Sequence, residues 1–237
     1  MIKANEVQRM ATNTDSLSKR LVWITLLIIA AGVLIVLISS QRNEASQDIR
    51  LGAHPDIEGQ PTLGEIGAPV SVVEFGDYKC PACKAWDESI LPQLTVDYIE
   101  TGQVKYSYIN TLFHGEESGL AALASESVWN QNPEGFWQFH KEIFRQQPPS
   151  QNHDESWITP EKLIDIANEV DADIDLEQLA IDLVNQTYIA HVMADQEQVQ
   201  AFNVSLTPSI VINGTMVEDP FDYEHMKQVI EEALEEQ

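Results

Sequence analysis

The spacing of apolar and polar positions divides the chain into unlike parts. From Leu21 to Ser40 the residues LVWITLLIIAAGVLIVLISS carry no charge and no polar stripe. Twenty mostly apolar residues at about 1.5 Å each match a hydrocarbon core of roughly 30 Å, whereas a helix of a soluble core shows a polar face. The pattern therefore predicts a transmembrane anchor over 21–40, after a cytoplasmic N-terminus over 1–20. The alternative is a cleavable signal peptide, whose apolar stretch is usually about 7–15 residues long. This stretch is longer, and no good small-x-small site follows it. Lys3, Arg9, Lys19 and Arg20 precede it and only Arg42 and Arg50 follow closely, so the positive-inside rule keeps the N-terminus in the cytoplasm. The expected localisation is the cell membrane, single-pass, with everything beyond Gln41 extracytoplasmic.

Beyond the anchor the period changes. Residues 41–60 are polar, with Gly52, Pro55 and Gly59, and read as a linker. Val70 to Phe75 (VSVVEF) is a short β-branched run bounded by Ala-Pro and Gly-Asp, the pattern of a buried central strand. A helical pattern then runs to about Thr101, with Trp86, Ile90, Leu91, Leu94, Tyr98 and Ile99 on its apolar face, and Pro92 should kink or split it. Val104 to Asn110 (VKYSYIN) reads as a second strand. From Glu116 to Asn203 the intervals are helical, with a start signal at Thr159-Pro160-Glu161. Ser209 to Asn213 (SIVIN) reads as a strand, Asn213-Gly214 as a hairpin turn, Thr215–Val217 as its return, and Asp222 to Glu235 as an amphipathic helix. Strand–helix–strand, a helical block, then strand–strand–helix can complete one mixed sheet with the block inserted as a cap. The expected fold class is α/β: a domain over 61–237 with a helical insertion at about 115–203.

Charge and composition narrow the function classes. Thirty-eight acidic residues against thirteen basic ones give a formal net charge of −25, which excludes a general nucleic-acid binder. Most of the excess lies beyond residue 42, where eight Lys/Arg face thirty-six Asp/Glu. That distribution reads as a well-solvated surface, or as adaptation to a saline or alkaline exterior. Asp171, Asp173 and Asp175 alternate in DADID but lack the Gly and the distal Glu of a calcium loop, and no metal site is expected. His114 and His140 read as surface or interdomain residues. Trp129, Trp137 and Trp157 read as core.

The two cysteines, Cys80 and Cys83, stand as Cys-Pro-Ala-Cys where a strand gives way to a helix. Pro81 suits the first helical turn. Cys80 then sits at the helix N-terminus, among unsatisfied N–H groups and the positive end of the dipole, an environment that favours a thiolate. Cys83 lies about one turn further in and is less exposed. One sulfur can be attacked, and the other can resolve the mixed disulfide. A structural bridge would close a very short loop and add little, and a zinc site lacks two further ligands. Inert buried thiols suit an oxidising compartment poorly.

These residues also carry a resemblance. VVEFGDYKCPACKAW, followed about 125 residues later by LTPSIVINGTMV, resembles the DsbA-like branch of the thioredoxin superfamily, and FHGEESGLAALASESVWNQNPEGFWQFHKEIF resembles that branch's inserted helical domain. With the anchor, the chain is similar to the membrane-tethered Gram-positive members. The resemblance implies a thioredoxin fold with a helical insertion. It also implies an oxidase that introduces disulfide bonds into reduced or unfolded exported proteins and is re-oxidised by a DsbB-type membrane quinone reductase. Cys80 matches the family's nucleophile and Cys83 its resolving cysteine. Glu74 matches a buried acid that the family often has near the resolving sulfur, where it could relay a proton. Thr207-Pro208 matches its cis-proline position beside the client. The dipeptide here is Pro-Ala, without the His that many members carry. No cofactor beyond the Cys80–Cys83 disulfide is implied, and the expected state is a monomer. Two alternatives stand beside the oxidase: a disulfide isomerase or reductase, for which no dimerisation module is found between Gln41 and Pro61, and a non-catalytic client-binding chaperone of the same fold.

Overall fold

The computed structural model describes residues 23–29, 31–32, 48–149 and 155–236. Residues 23–29 and 31–32 are helical. The rest of the expected 21–40 anchor and of the 1–20 segment lies outside the described residues. Among the described residues no helix is long and apolar enough to cross a membrane. Residues 47–237 form a compact unit of their own.

That unit is built on six strands: β1 (Ile49–Arg50), β2 (Thr62–Leu63), β3 (Val70–Gly76), β4 (Val104–Asn110), β5 (Ser209–Ile212) and β6 (Thr215–Met216). Their order in the sheet is β1-β6-β5-β3-β4-β2. β3 runs parallel to β4 and antiparallel to β5, so it is central and buried on both faces. This is why VSVVEF reads as a continuous apolar run rather than an alternating one. β5 turns back into β6 through Asn213-Gly214, both with positive φ (41° and 79°), the conformation that an Asn-Gly hairpin turn requires.

Helices α1 (Pro81–Ser89), α2 (Leu91–Leu94) and α8 (Tyr223–Glu235) accompany the sheet. The helical pattern after the cysteines is split near Pro92, with Ile90 between α1 and α2, and it ends in a π-helical turn over Thr95–Ile99. Trp86, Leu91, Leu94 and Tyr98 pack with Val70, Val72, Tyr106, Ile210, Met226 and Ile230 into one core.

Between β4 and β5 the described residues form five helices: α3 (Glu116–Gln131), α4 (Pro133–Gln146), α5 (Pro160–Glu169), α6 (Leu176–Asn185) and α7 (Ile189–Ala201). Thr159 caps α5 through the Lys162 N–H and Asp175 caps α6 through the Gln178 N–H, so one acid of the DADID trio serves as a helix cap. The core of this block includes Phe136, Phe139, Ile143, Leu163 and Ile166, and it also takes in Tyr78, Cys80, Cys83 and Tyr108. The insertion thus packs directly over the cysteines.

One expectation is corrected. Part of the polar stretch over 41–60 read as a linker joins the sheet, where Ile49 and Arg50 of β1 pair with β6; just beyond that stretch β2 pairs with β4. Two-residue strands have no period to read. They are held by pairing with the sheet, and the Thr62 and Ser107 hydroxyls meet at 2.8 Å.

Candidate active site

Strand β3 ends at Gly76, three residues of loop follow, and Cys80 caps α1 with an extended backbone (φ −76°, ψ 120°) while Pro81 takes the first helical position. No side-chain hydrogen bond caps the helix among the described residues, and the Ala82 and Cys83 N–H groups of the first turn are turned to the Cys80 sulfur. Both cysteines are thiols in this structure. Cys80 Sγ donates to the Thr207 carbonyl at 3.3 Å. The Cys80 thiol is lowered from its ordinary value to about 6. The largest cause is the hydrogen bond from the Cys83 thiol; the Thr207 side chain and the Cys83 and Ala82 backbone N–H groups add to it, and partial burial opposes them.

Cys83, one turn inward, has no exposed surface, while Cys80 keeps 7%. Burial pushes the Cys83 thiol well up, and its neighbours Cys80 and Glu74 push the same way. The Asp77 N–H donates to Cys83 Sγ at 3.4 Å. Two sulfurs three residues apart are therefore driven in opposite directions.

Glu74 lies on the same face of β3 as Val72, in register with Tyr108 on β4 and Ile210 on β5. It is 1% exposed. The Tyr106 hydroxyl donates to its Oε2 at 2.6 Å, and Oε1 has no partner among the described residues. Burial raises this carboxyl to about 8; the Tyr106 hydrogen bond works against that rise and the Asp87 charge with it. Gly76 makes the arrangement possible. A Cβ there would stand 2.4 Å from the Tyr108 ring and 2.7 Å from Glu74 Oε1.

The loop before Cys80 is fixed by Asp77. Its carboxylate accepts the Lys79, Phe113 and His114 backbone N–H groups and the Ser118 hydroxyl, and it faces His114 Nδ1 at 2.8 Å. Lys79 pairs with Glu117 at 3.1 Å. Gln147 Nε2 donates to the Tyr78 and Cys80 carbonyls. Across the sulfur, the Thr207–Pro208 bond is cis.

The expected residues Glu74, Cys80, Cys83, Thr207 and Pro208 thus meet at one place. His140 needs a correction in one respect. It belongs to the insertion and meets the loop residue Tyr78, as an interdomain residue would, but it is fully buried rather than superficial. Sequence reasoning missed Asp77, Asp87, Tyr78, Tyr106 and Tyr108. Asp87 alone left a signal, because it follows Cys83 by four residues and so shares its helix face.

Among the described residues no group of three or more His, Cys, Asp or Glu side chains is placed to hold a metal ion. The arrangement is suited to exchange of an electron pair between dithiols and disulfides.

Residues 56–232 match the family described as Thioredoxin. Disulfide bond formation protein D of Bacillus subtilis (strain 168) is 41% identical over 195 residues, 82% of this chain and 86% of that protein. Probable disulfide bond formation protein D of Bacillus anthracis is 39% identical over 175 residues, 74% of this chain and 78% of that protein. Among solved structures, the crystal structure of oxidised BdbD from Bacillus subtilis superposes with a TM-score of 0.74 at 41% identity, covering 78% of this chain and 98% of that one. DsbA from Chlamydia trachomatis superposes with a TM-score of 0.67 at 20% identity over 78% of this chain and 97% of that one, a likeness of fold.

Proposed function

The chain belongs to the thioredoxin family, in its DsbA-like branch, and is a protein thiol–disulfide oxidoreductase; from that premise we propose that it is an oxidase that introduces disulfide bonds into exported proteins. The observation that carries this reading is the opposed environment of the two sulfurs. Groups that favour the Cys80 thiolate stabilise the dithiol form, and a stabilised dithiol makes the corresponding disulfide a strong oxidant.

A client thiolate attacks Cys80 Sγ of the oxidised protein. The Cys80–Cys83 bond breaks and its electron pair passes to Cys83 Sγ, deep in the core. Glu74, raised to about 8, is protonated at neutral pH and can give its proton to that buried sulfur. A second client thiolate then attacks the client sulfur of the mixed disulfide. The client leaves oxidised, and Cys80 leaves as the thiolate that its helix N-terminus and Thr207 stabilise. Re-oxidation reverses the proton: Glu74 as carboxylate takes it from Cys83, which attacks the mixed disulfide formed with a DsbB-type membrane quinone reductase. The Thr207 and Pro208 backbone flanks Cys80 as the surface on which an extended client pairs, a mode that reads main chain rather than side chains. The protein acts as a monomer held to the outer face of the membrane by residues 21–40.

The test uses the oxidised full chain in detergent and a reduced client peptide with two cysteines. The oxidase reading requires one client disulfide formed per protein disulfide consumed, without added oxidant. Failure to oxidise the dithiol peptide, together with rapid reduction of its disulfide form by the reduced chain, would instead establish a reductase.

A further inference from the structure

The steps above give no part to the main chain of Asp77, which meets both cysteines. Its N–H donates to Cys83 Sγ at 3.4 Å, and its carbonyl accepts the Cys80 N–H at 2.9 Å. Both contacts depend on how the loop between β3 and α1 is held. Within the loop, Asp77 Oδ1 accepts the Lys79 N–H at 2.8 Å, an Asx turn that sets the direction in which the chain enters α1. Oδ2 is held from outside the loop. It accepts the Phe113 N–H at 3.0 Å, the His114 N–H at 3.2 Å and the Ser118 hydroxyl at 3.0 Å, and it faces His114 Nδ1 at 2.8 Å. Ser118 lies in the first turn of α3, so these donors belong to the entrance of the inserted block and not to the sheet. The Ser118 hydroxyl in turn accepts the His114 N–H at 3.1 Å, and the Asp77 side chain has no exposed surface.

We propose that the Asp77 N–H is the donor that meets the charge developing on Cys83 Sγ, and that His114 and Ser118 are positioning residues which aim it through the Asp77 carboxyl. This rests on the attacking and resolving roles given to Cys80 and Cys83 above. A thiol or disulfide sulfur is a weak acceptor, whereas a thiolate accepts a charge-assisted bond. The contact therefore gains strength between either resting state and the transition state, which is the condition for accelerating a step. Cys83 is packed among apolar and aromatic side chains. A donor fixed in such surroundings is worth more than one in water, and one already aimed needs no reorganisation when the charge appears. The carboxyl itself exchanges no proton; it is the clamp.

No proton leaves the Asp77 N–H in either direction. When a client thiolate attacks Cys80 Sγ, a bond forms between the client sulfur and Cys80. The Cys80–Cys83 bond breaks, and its electron pair rests on Cys83 Sγ opposite the N–H until Glu74 delivers a proton. In the resolving direction Cys83 gives its proton to Glu74 and its sulfur attacks Cys80 Sγ. The client sulfur then leaves with the electron pair of its bond to Cys80. Both directions pass through the same partly charged Cys83 sulfur, so the donor acts on both by one factor.

A chromogenic aromatic disulfide tests the proposal on the full chain in detergent. Attack by Cys80 of the reduced chain releases one aromatic thiolate, and resolution by Cys83 releases the second as a separate stopped-flow phase. The opposite direction is attack of a monothiol on the oxidised chain, read as formation of the mixed disulfide. Asp77→Asn keeps the size of the side chain but replaces one acceptor oxygen with a donor. The Cys83 sulfur then loses an aimed donor while about half of its charge has developed. The second phase and the opposite step should slow by the same factor, roughly three- to tenfold, with the first phase little changed. Ser118→Ala should act in the same sense and more weakly. A residue that only held the loop together would slow all three steps or none. Equal slowing of all three in either variant, or no change in both, overturns the proposal. If Asp77→Asn does not fold, Ser118→Ala and NMR decide. The Asp77 amide proton should move upfield in Cys83→Ala, which lacks the sulfur acceptor; an unmoved resonance overturns the proposal. Cys83→Ala should also keep the first phase and lose the second. Loss of its first phase would instead overturn the roles of the two cysteines, and the proposal with them.

Discussion

Glu74 and Asp77 are both carboxyls, three residues apart at the end of one strand, and each is 1% exposed. Their surroundings differ. Asp77 accepts three backbone N–H groups and a hydroxyl and faces an imidazole nitrogen. Glu74 accepts one hydroxyl, and its Oε1 has no hydrogen-bond partner among the described residues. A buried carboxyl with donors on every side organises a loop. A buried carboxyl with too few donors is held neutral by desolvation and is ready to exchange a proton. Burial alone does not separate structure from chemistry in this molecule; hydrogen-bond satisfaction does.

The largest effect that sharpens this contrast is expected at Asp77. Asp77→Ala strips several buried donors of their acceptor at once and should cost about 3 kcal/mol or more of stability, read by denaturant unfolding. A cost below about 1 kcal/mol would break the contrast from the structural side.

Gly76→Ala comes next. Its Cβ would meet the Tyr108 ring and Glu74 Oε1 well inside contact distance. Because the ring is buried, the strain should cost roughly 1–3 kcal/mol and slow resolution at Cys83 more than attack by Cys80.

Glu74→Gln should behave oppositely to Asp77→Ala. A carboxyl raised to about 8 in the fold contributes stability that is fully present below its ordinary range near 4.5 and is lost as pH rises toward 8. The wild type should therefore lose up to a few kcal/mol across that window from this group, and the Gln variant should lack that part of the slope. Thermal unfolding at pH 5 and pH 8 checks the sign. A variant that loses as much stability as the wild type between pH 5 and pH 8 would contradict it.

The smallest expected effect compares redox forms. The Cys80 thiol is lowered to about 6, so its stabilisation of the reduced form is present above the ordinary thiol range near 9 and fades as pH falls through 6. The reduced form should be the more stable one at pH 8, and its advantage should shrink at pH 5. The opposite order by calorimetry would argue against an oxidising disulfide.

Much of this site is legible in the sequence because it is local. VSVVEF, CPAC and SIVIN announce a buried strand, a helix start and a second strand through periodicity and punctuation. One mixed sheet with an inserted helical block follows from them; that this order is a thioredoxin fold is what the family resemblance implies. The rest is tertiary. Tyr106 reaches Glu74 across 32 residues and His140 reaches Tyr78 across 62, and no spacing rule links such pairs. β1 and β2 are too short to show a period. Asp77 looks like any loop acid until its donors converge on it.

The central claim is that Cys80 and Cys83 are driven apart by their surroundings, one toward thiolate and the other toward buried thiol. Alkylation of the reduced full chain at limiting reagent, mapped by mass spectrometry across pH, tests it most directly. Cys80 should be labelled first, with a midpoint near 6, while Cys83 should stay unlabelled for as long as the protein is folded. Labelling of Cys83 ahead of Cys80, or a Cys80 midpoint in the ordinary thiol range of about 8.5, would contradict the account.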